Sequence, residues 1–264
     1  MPQAPSSARL WYRLAAGLGT LAFVIVLGYH NLADGDLWAR LAAGASVWFT
    51  GRLWPYDPFA FTPTLPEWVD HEWGAGTVFF GVLKLFGAGG LLGLKTLLAL
   101  GALGLSAAAA RRRGATTAAI LTLAIPCAWT LLPGYVPVVR SHAFTYAAFG
   151  LLIWLLDRLC AGRVRVAPLV PVLMLLWANL HGGFVAGYGL LGVYALAALA
   201  PGQPRRLMLL TVALAVIAST ITPYGLRFWK YLIPALLHPR SRIAEWAPMP
   251  LWRHDVFSGF RVLC

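Results

Sequence analysis

The sequence predicts an all-α fold: a polytopic helical membrane protein with about seven transmembrane helices, plus two interfacial helices in its first external loop. Three observations carry that expectation. Of 264 residues, 59% are hydrophobic and 11% charged, against about 25% charged in an ordinary soluble domain. Apolar runs near the roughly 17–25 residues that a bilayer asks of a helix recur along the chain. The basic residues that bring the net charge to +12 fall in short groups between those runs, as cytoplasmic loops do. That placement, with no basic stripe interleaved with aromatics, argues against nucleic acid and for the lipid bilayer as the partner. Cys127, Cys160 and Cys264 form no CxxC pair and read as packing residues.

The elements follow from charge parity. Arg9 and Arg13 place the N-terminus in the cytoplasm, and 14–32 is the first span. It ends without a small-x-small cleavage site, so it reads as an uncleaved helix rather than a signal peptide. Arg111, Arg112 and Arg113 mark the cytoplasm again, so one crossing lies between Asp34 and Arg111. The run 89–110 is long enough for it; the shorter run 73–86, with Lys84, is expected at the interface. The remaining spans are 116–132 outward, 144–159 back to Arg158, Arg163 and Arg165, 166–180 outward, 184–200 back to Arg205 and Arg206, and 207–221 outward. Asp157 is expected beside Arg158. The whole of 1–264 is expected to be one transmembrane domain, with 33–88 as an external loop and 223–264 as an external or interfacial tail. The tail is basic, which opposes the positive-inside rule. Either it lies on the lipid surface, or the chain is a truncated form of a longer protein with further spans.

The external loop concentrates the acidic chemistry. Asp34, Asp36, Asp57, Glu67, Asp70 and Glu72 are six of the nine acidic residues. From Asp36, the residues Leu37, Trp38, Leu41, Ala45, Trp48 and Phe49 recur at helical spacing, and Gly51 ends the helix. A proline-stiffened strap, 53–63, leads on to Trp68-Val-Asp-His-Glu-Trp. Asp34 and Asp36 have two readings. One is helix capping; the other is a carboxylate pair that serves as a base or holds a cation.

Three stretches carry a resemblance: Asp34-Gly-Asp-Leu-Trp-Ala-Arg-Leu-Ala-Ala-Gly, Gly51-Arg-Leu-Trp-Pro-Tyr-Asp-Pro-Phe and Trp68-Val-Asp-His-Glu-Trp. They resemble bacterial membrane proteins of the GT-C glycosyltransferase superfamily, which includes protein O-mannosyltransferases and the aminoarabinose transferase of lipid A. Arg140-Ser-His, Trp177-Ala-Asn-Leu-His-Gly-Gly-Phe and Thr222-Pro-Tyr-Gly extend the likeness over about 13–246. Well-studied members are longer, and several carry Asp-Glu where this chain has Asp-Gly-Asp. The resemblance implies transfer of a sugar from a polyprenyl-phosphate donor to an envelope acceptor on the external face. It implies Asp36, then Asp34, as the catalytic carboxylate, with His71 and Glu72 assisting.

Arg140 is implied as the phosphate partner, because its donor fork matches phosphate oxygens, with His142, Asn179, His181 and Tyr224 beside the substrate. Each has a plainer reading. Arg140 anchors a helix end by snorkelling, His142 is structural, Asn179 and His181 satisfy backbone groups at a helix break, and Tyr224 is an interface anchor. If Asp34 and Asp36 hold a divalent cation, oxygen ligands favour magnesium, manganese or calcium over zinc. The competing function is a non-catalytic membrane scaffold or assembly partner in envelope polysaccharide synthesis. A transporter is a third, for which Lys95 is the nearest mid-span ionisable residue.

Overall fold

The computed structural model describes residues 6–29, 35–62, 68–130 and 138–237. Asp34, Glu67 and the tail beyond 237, three features singled out in the sequence, lie outside the described residues. The described residues are all-helical. In chain order the helices are α1 (Ser6–Gly28), α2 (Gly35–Thr50), α3 (Trp73–Arg112), α4 (Thr117–Thr130), α5 (His142–Cys160), α6 (Leu169–Leu180), α7 (Phe184–Ala197), α8 (Arg205–Ser219) and α9 (Leu226–Leu237). A single 3-10 turn, Val164–Val166, precedes α6.

The expected helix after Asp36 is α2. It ends where Gly51 takes a left-handed φ of 66° and its N–H returns to the Val47 carbonyl at 2.9 Å, a glycine C-terminal cap. The two helices expected at 73–86 and 89–110 are the two arms of α3, which break at Gly87 with φ 65° and ψ −168°. That backbone region is essentially restricted to glycine. Phe79 of the first arm and Leu91 of the second join one apolar cluster with Phe144 of α5, so the chain bends sharply at the break. Lys95, on the second arm, is 1% exposed.

Two helices, Trp73–Arg112 and His142–Cys160, are long and apolar enough to cross a membrane, while Leu10–Val26, Thr117–Trp129, Val164–Leu180 and Phe184–Ala197 are apolar but shorter. The run expected at 166–180 is shorter as a regular helix, because the 3-10 turn and Pro168 delay α6 to Leu169. The region expected as an external or interfacial tail contains α9, whose Phe228 and Leu232 are buried.

The main core lies among α5 to α9, around Leu152, Met174, Trp177, Phe184, Leu191 and Met208. A second cluster joins α2, α3 and α5, and a third ties α1 and α4 to α3 through Val24, Ala128 and Ala99. Glycines set the α2–α3 spacing. A Cβ on Gly44 would collide with the Gly76 carbonyl, and one on Gly76 with the Arg40 carbonyl. The backbones therefore touch, and the N-terminal half of α2 is drawn against the start of α3.

The two ends of the bundle differ. At one end Arg113, after α3, makes a two-point bond to Asp157 of α5 at 2.6 and 3.1 Å and donates to the Tyr194 hydroxyl of α7 at 2.7 Å. Tyr194 in turn donates to Asp157. Arg158, the neighbour of Asp157 in sequence, lies over the Trp154 ring at 4.9 Å. The other end gathers the residues described below.

Gly44→Ala should lower thermal stability, because inserting a methyl between touching backbones costs about 1–3 kcal/mol. Gly93→Ala, where a Cβ meets nothing within 4 Å, should be neutral or stabilising by up to about 1 kcal/mol. Unfolding of the two purified variants in parallel checks this; equal stabilities would remove the close approach of α2 and α3 as a constraint.

Candidate functional site

Five separate segments bring polar side chains to the end of the bundle opposite Arg113. They are the first turns of α2, the 68–72 loop, the approach to α5, the turn between α6 and α7, and the α8–α9 connection with α9. Leu37 and Leu41 bury one face of α2, which leaves Asp36 and Arg40, one helical turn apart, on a neighbouring face. Arg40 pairs with Asp70. Asp70 is 4% exposed and organises the loop before α3, since its Oδ1 accepts the Glu72 N–H at 3.0 Å, the side-chain-to-backbone bond of an Asx turn. Its own N–H donates to the Tyr224 hydroxyl at 3.2 Å. The second carboxylate oxygen, Oδ2, is buried with no hydrogen-bond partner among the described residues.

Glu72 is the hub. Its Oε1 lies 3.4 Å from His181 Nε2 and 3.8 Å from His71 Nε2, and its Oε2 lies 3.9 Å from Arg40 Nε. Burial alone would push its carboxyl up. The pull of His71 and His181, a hydrogen bond from Ser141 and the charge of Arg40 together outweigh burial and hold it below the usual value. For His181 burial wins. It pushes the imidazole down to about 4 against the opposing attraction of Glu72, with His142 and His71 adding to the fall. Tyr224 is pushed up to about 12, first by burial.

Around this hub sit the other residues singled out in the sequence. Arg140 Nη2 is 3.3 Å from Asp36 Oδ2, and the Asp36 side chain is 70% exposed. The His142 ring stands 4.6 Å from that of His181. His71 Nδ1 meets the Tyr231 hydroxyl of α9 at 3.3 Å. Asn179 braces the backbone: its amide nitrogen donates to the Leu175 and Ile221 carbonyls, each at 2.9 Å, and its oxygen accepts the Trp73 indole N–H at 3.0 Å. The plain reading of Asn179, as a residue that satisfies backbone groups at a helix break, describes this geometry. Asp36 and Glu72, both named as catalytic candidates, have different partners: Asp36 faces Arg140, and Glu72 faces His181 and Arg40.

Sequence reasoning gave no role to Arg40, Asp70, Ser141, Thr145 or Tyr231. Arg40 was detectable, since it falls one turn after Asp36 on the same helix. The others come from long-range packing. Among the described residues no three of His, Cys, Asp and Glu are arranged to hold a metal ion, and Asp34, half of the expected cation pair, is outside those residues.

An apolar groove of about 680 Å³ opens beside the hub. Trp73, the residue after Glu72, forms one wall with Thr77 and Val78; Leu176, Asn179 and Ile221 form the facing one. No protein-family model, curated protein or solved structure matches the chain.

Two outcomes follow from these ion pairs. Arg40→Met should destabilise the protein by about 3–5 kcal/mol, because it leaves the Asp70 carboxylate buried without its cation, and Arg40→Met with Asp70→Leu should recover most of that loss in a double-mutant cycle of unfolding. An unfolded chain protonates the position-181 imidazole near 6.5, whereas the fold delays this to about 4. The unfolded state therefore binds more protons between those values, and stability should fall as pH drops through that window. The depressed carboxyl of Glu72 adds to the loss below its ordinary value of 4.5. Melting curves from pH 7 to about 4 should steepen in this sense for the wild type and flatten for His181→Gln; identical slopes would sink the assignment.

Proposed function

We propose that the chain is a membrane-embedded transferase of the GT-C type, which moves a sugar from a polyprenyl-phosphate donor to an acceptor hydroxyl on the external face of a bacterial inner membrane. The observation that carries this reading is the adjacency of an apolar groove to a cluster of carboxylates, guanidinium groups and imidazoles. A lipid-linked sugar phosphate has an apolar tail, an anionic link and a polar head, and the groove, Arg140 and the carboxylates match them in that order.

The membrane part of the proposal is supported by outward helix faces that are apolar. Leu97 is 68% exposed and Ile217 59%, and Val172, Leu176, Val193, Leu196, Leu210 and Leu214 also face outward. So broad an exposed apolar surface is characteristic of a membrane face. Parity supports the seven-span topology: residues near 36, 71, 140, 181 and 224 share one end, and 113, 157 and 194 share the other. That grouping is compatible with the alternation expected from the arginines.

On this reading the bond from the sugar's anomeric carbon to the phosphate oxygen breaks, and its electron pair leaves on the phosphate. The acceptor oxygen forms the new bond to that carbon, and its proton passes to a carboxylate. Asp36, open to solvent and beside Arg140, is placed to take the proton, while Arg140 stabilises the charge that develops on the phosphate. Glu72, enclosed by donors, holds the acceptor in register.

Purified full-length protein should transfer sugar from polyprenyl-phosphate donors, and Asp36→Asn should lose about 100-fold or more of that rate while melting at the wild-type temperature. Equal rates in the two proteins would remove Asp36 from the mechanism. No transfer from any donor would favour the scaffold reading.

A further inference from the structure

The surroundings of His181 dictate its tautomer. The Gly183 N–H, which can only donate, points at Nδ1 from 2.9 Å. Thr145 Oγ1 lies 2.7 Å from the same nitrogen. The Trp177 indole N–H, also only a donor, reaches Thr145 Oγ1 at 2.9 Å, so the hydroxyl accepts from Trp177 and its own proton is free to go to Nδ1, which the Gly183 N–H already marks as an acceptor. Nδ1 is then an acceptor, and the neutral ring carries its hydrogen on Nε2. That nitrogen is the one 3.4 Å from Glu72 Oε1.

The chain Trp177, Thr145, His181, Glu72 thus runs from a fully buried indole to the hub of the site. Gly183 leaves room for it. Its φ is an ordinary −61°, but a Cβ there would run into Thr145 Oγ1 and His181 Nδ1. The glycine is needed for space, not for backbone freedom.

We propose that His181 is a positioning residue: pinned through Nδ1 by Gly183 and Thr145, it presents Nε2–H to Glu72 and holds that carboxylate ionised and in one orientation. The pinning stands on the geometry alone; that Glu72 then receives an acceptor hydroxyl rests on the transferase reading. The groups facing Glu72 are His71 from its own loop, Arg40 from α2, Ser141 ahead of α5 and His181 from the α6–α7 turn. Those facing His181 are Glu72, His142 and His71. His181 stays uncharged near neutrality and there acts as an oriented donor; its charge pulls on Glu72 only in acid, where the imidazole is protonated.

The test reads Glu72 directly. The carboxylate band of Glu72 is assigned by infrared difference against Glu72→Gln, in the purified full chain without any donor, and titrated. Removing the donor with His181→Leu should raise the Glu72 titration midpoint by about one pH unit. His181→Gln, whose amide nitrogen replaces Nε2–H, should return it to the wild-type value. Thr145→Val, which loosens the pin without touching Glu72, should shift the midpoint part of the way and keeps the test open if the leucine variant does not fold. In the transfer assay, the acid limb of the kcat/KM profile should move by the same amount and in the same order of variants, whereas a purely structural role would scale the rate equally at every pH. An unshifted Glu72 midpoint in Thr145→Val, or in a folded leucine variant, overturns the inference even if transfer is found. An ordered shift with no transfer from any donor leaves the positioning intact and overturns only the transferase reading.

Discussion

A carboxylate can be enclosed in an apolar helical bundle only if donors and cations replace its water. Asp70 and Glu72 impose that requirement twice within three residues. The Asp70 carboxylate, almost fully buried, draws Arg40 from α2, while the backbone N–H of the same residue donates to the Tyr224 hydroxyl from beyond α8. Glu72 draws His181 from the α6–α7 turn and Ser141 from the approach to α5. Segments more than 150 residues apart in the chain are joined through one loop. The short connections at this end are therefore not passive turns between helices; each is held by a contact to the 70–72 loop.

The backbone had to permit this convergence. Side chains of ordinary size on α2 and α3 would keep their axes about 8–10 Å apart. Gly44 and Gly76 remove that separation, and Gly74 does the same where α3 meets the Asn179 carbonyl of α6. The Gly87 break turns α3 so that its first arm crosses the site end while its second runs along α5. Packing at the glycines and polarity at the loop act together: the first sets the distances over which Arg40 and Glu72 meet, and the second selects the rotamers.

Much of this was legible in the sequence, for identifiable reasons. The helix after Asp36 and the boundary between 73–86 and 89–110 were written in periodicity and glycine placement, which are local signals. The gathering of Asp36, His71, Glu72, Arg140, His142, His181 and Tyr224 at one end was legible because alternating arginine loops fix which connections share a face. Pairing within that end was not. Nothing local says that Asp36 takes Arg140 while Arg40 takes Asp70, because the choice depends on which carboxylate the α2–α3 contact buries. Asp157 shows the same limit. Its sequence neighbour Arg158 points about 100° away on the helix. Arg113, distant in sequence, occupies the position that Arg158 cannot reach. Helix α9 was missed although Arg227, Lys230 and Pro234 fall on one side of it and leave the other apolar, with Phe228 and Leu232 buried; its basic residues and proline, within a tail read as external, obscured the helical period.

Two of the site's three carboxylates, Asp36 and Glu72, differ in a way that bears on the proposed chemistry. Asp36 is open and has Arg140 alongside it; Glu72 is enclosed and surrounded by donors. A group that must accept a proton and then release it to water benefits from exposure, since an enclosed carboxylate held below its ordinary pKa is a weak base and its proton has no exit. A group that must orient a substrate hydroxyl benefits from the opposite, a fixed rotamer and a permanent charge. The donors around Glu72 supply both, and the one whose geometry is most constrained, His181, is anchored to a tryptophan in the centre of the core. On the proposed reading the two carboxylates divide the labour in this way, and a neutral imidazole at position 181 suits it: a neutral donor orients Glu72 without adding charge, and Arg140 stays the cation beside the exposed Asp36.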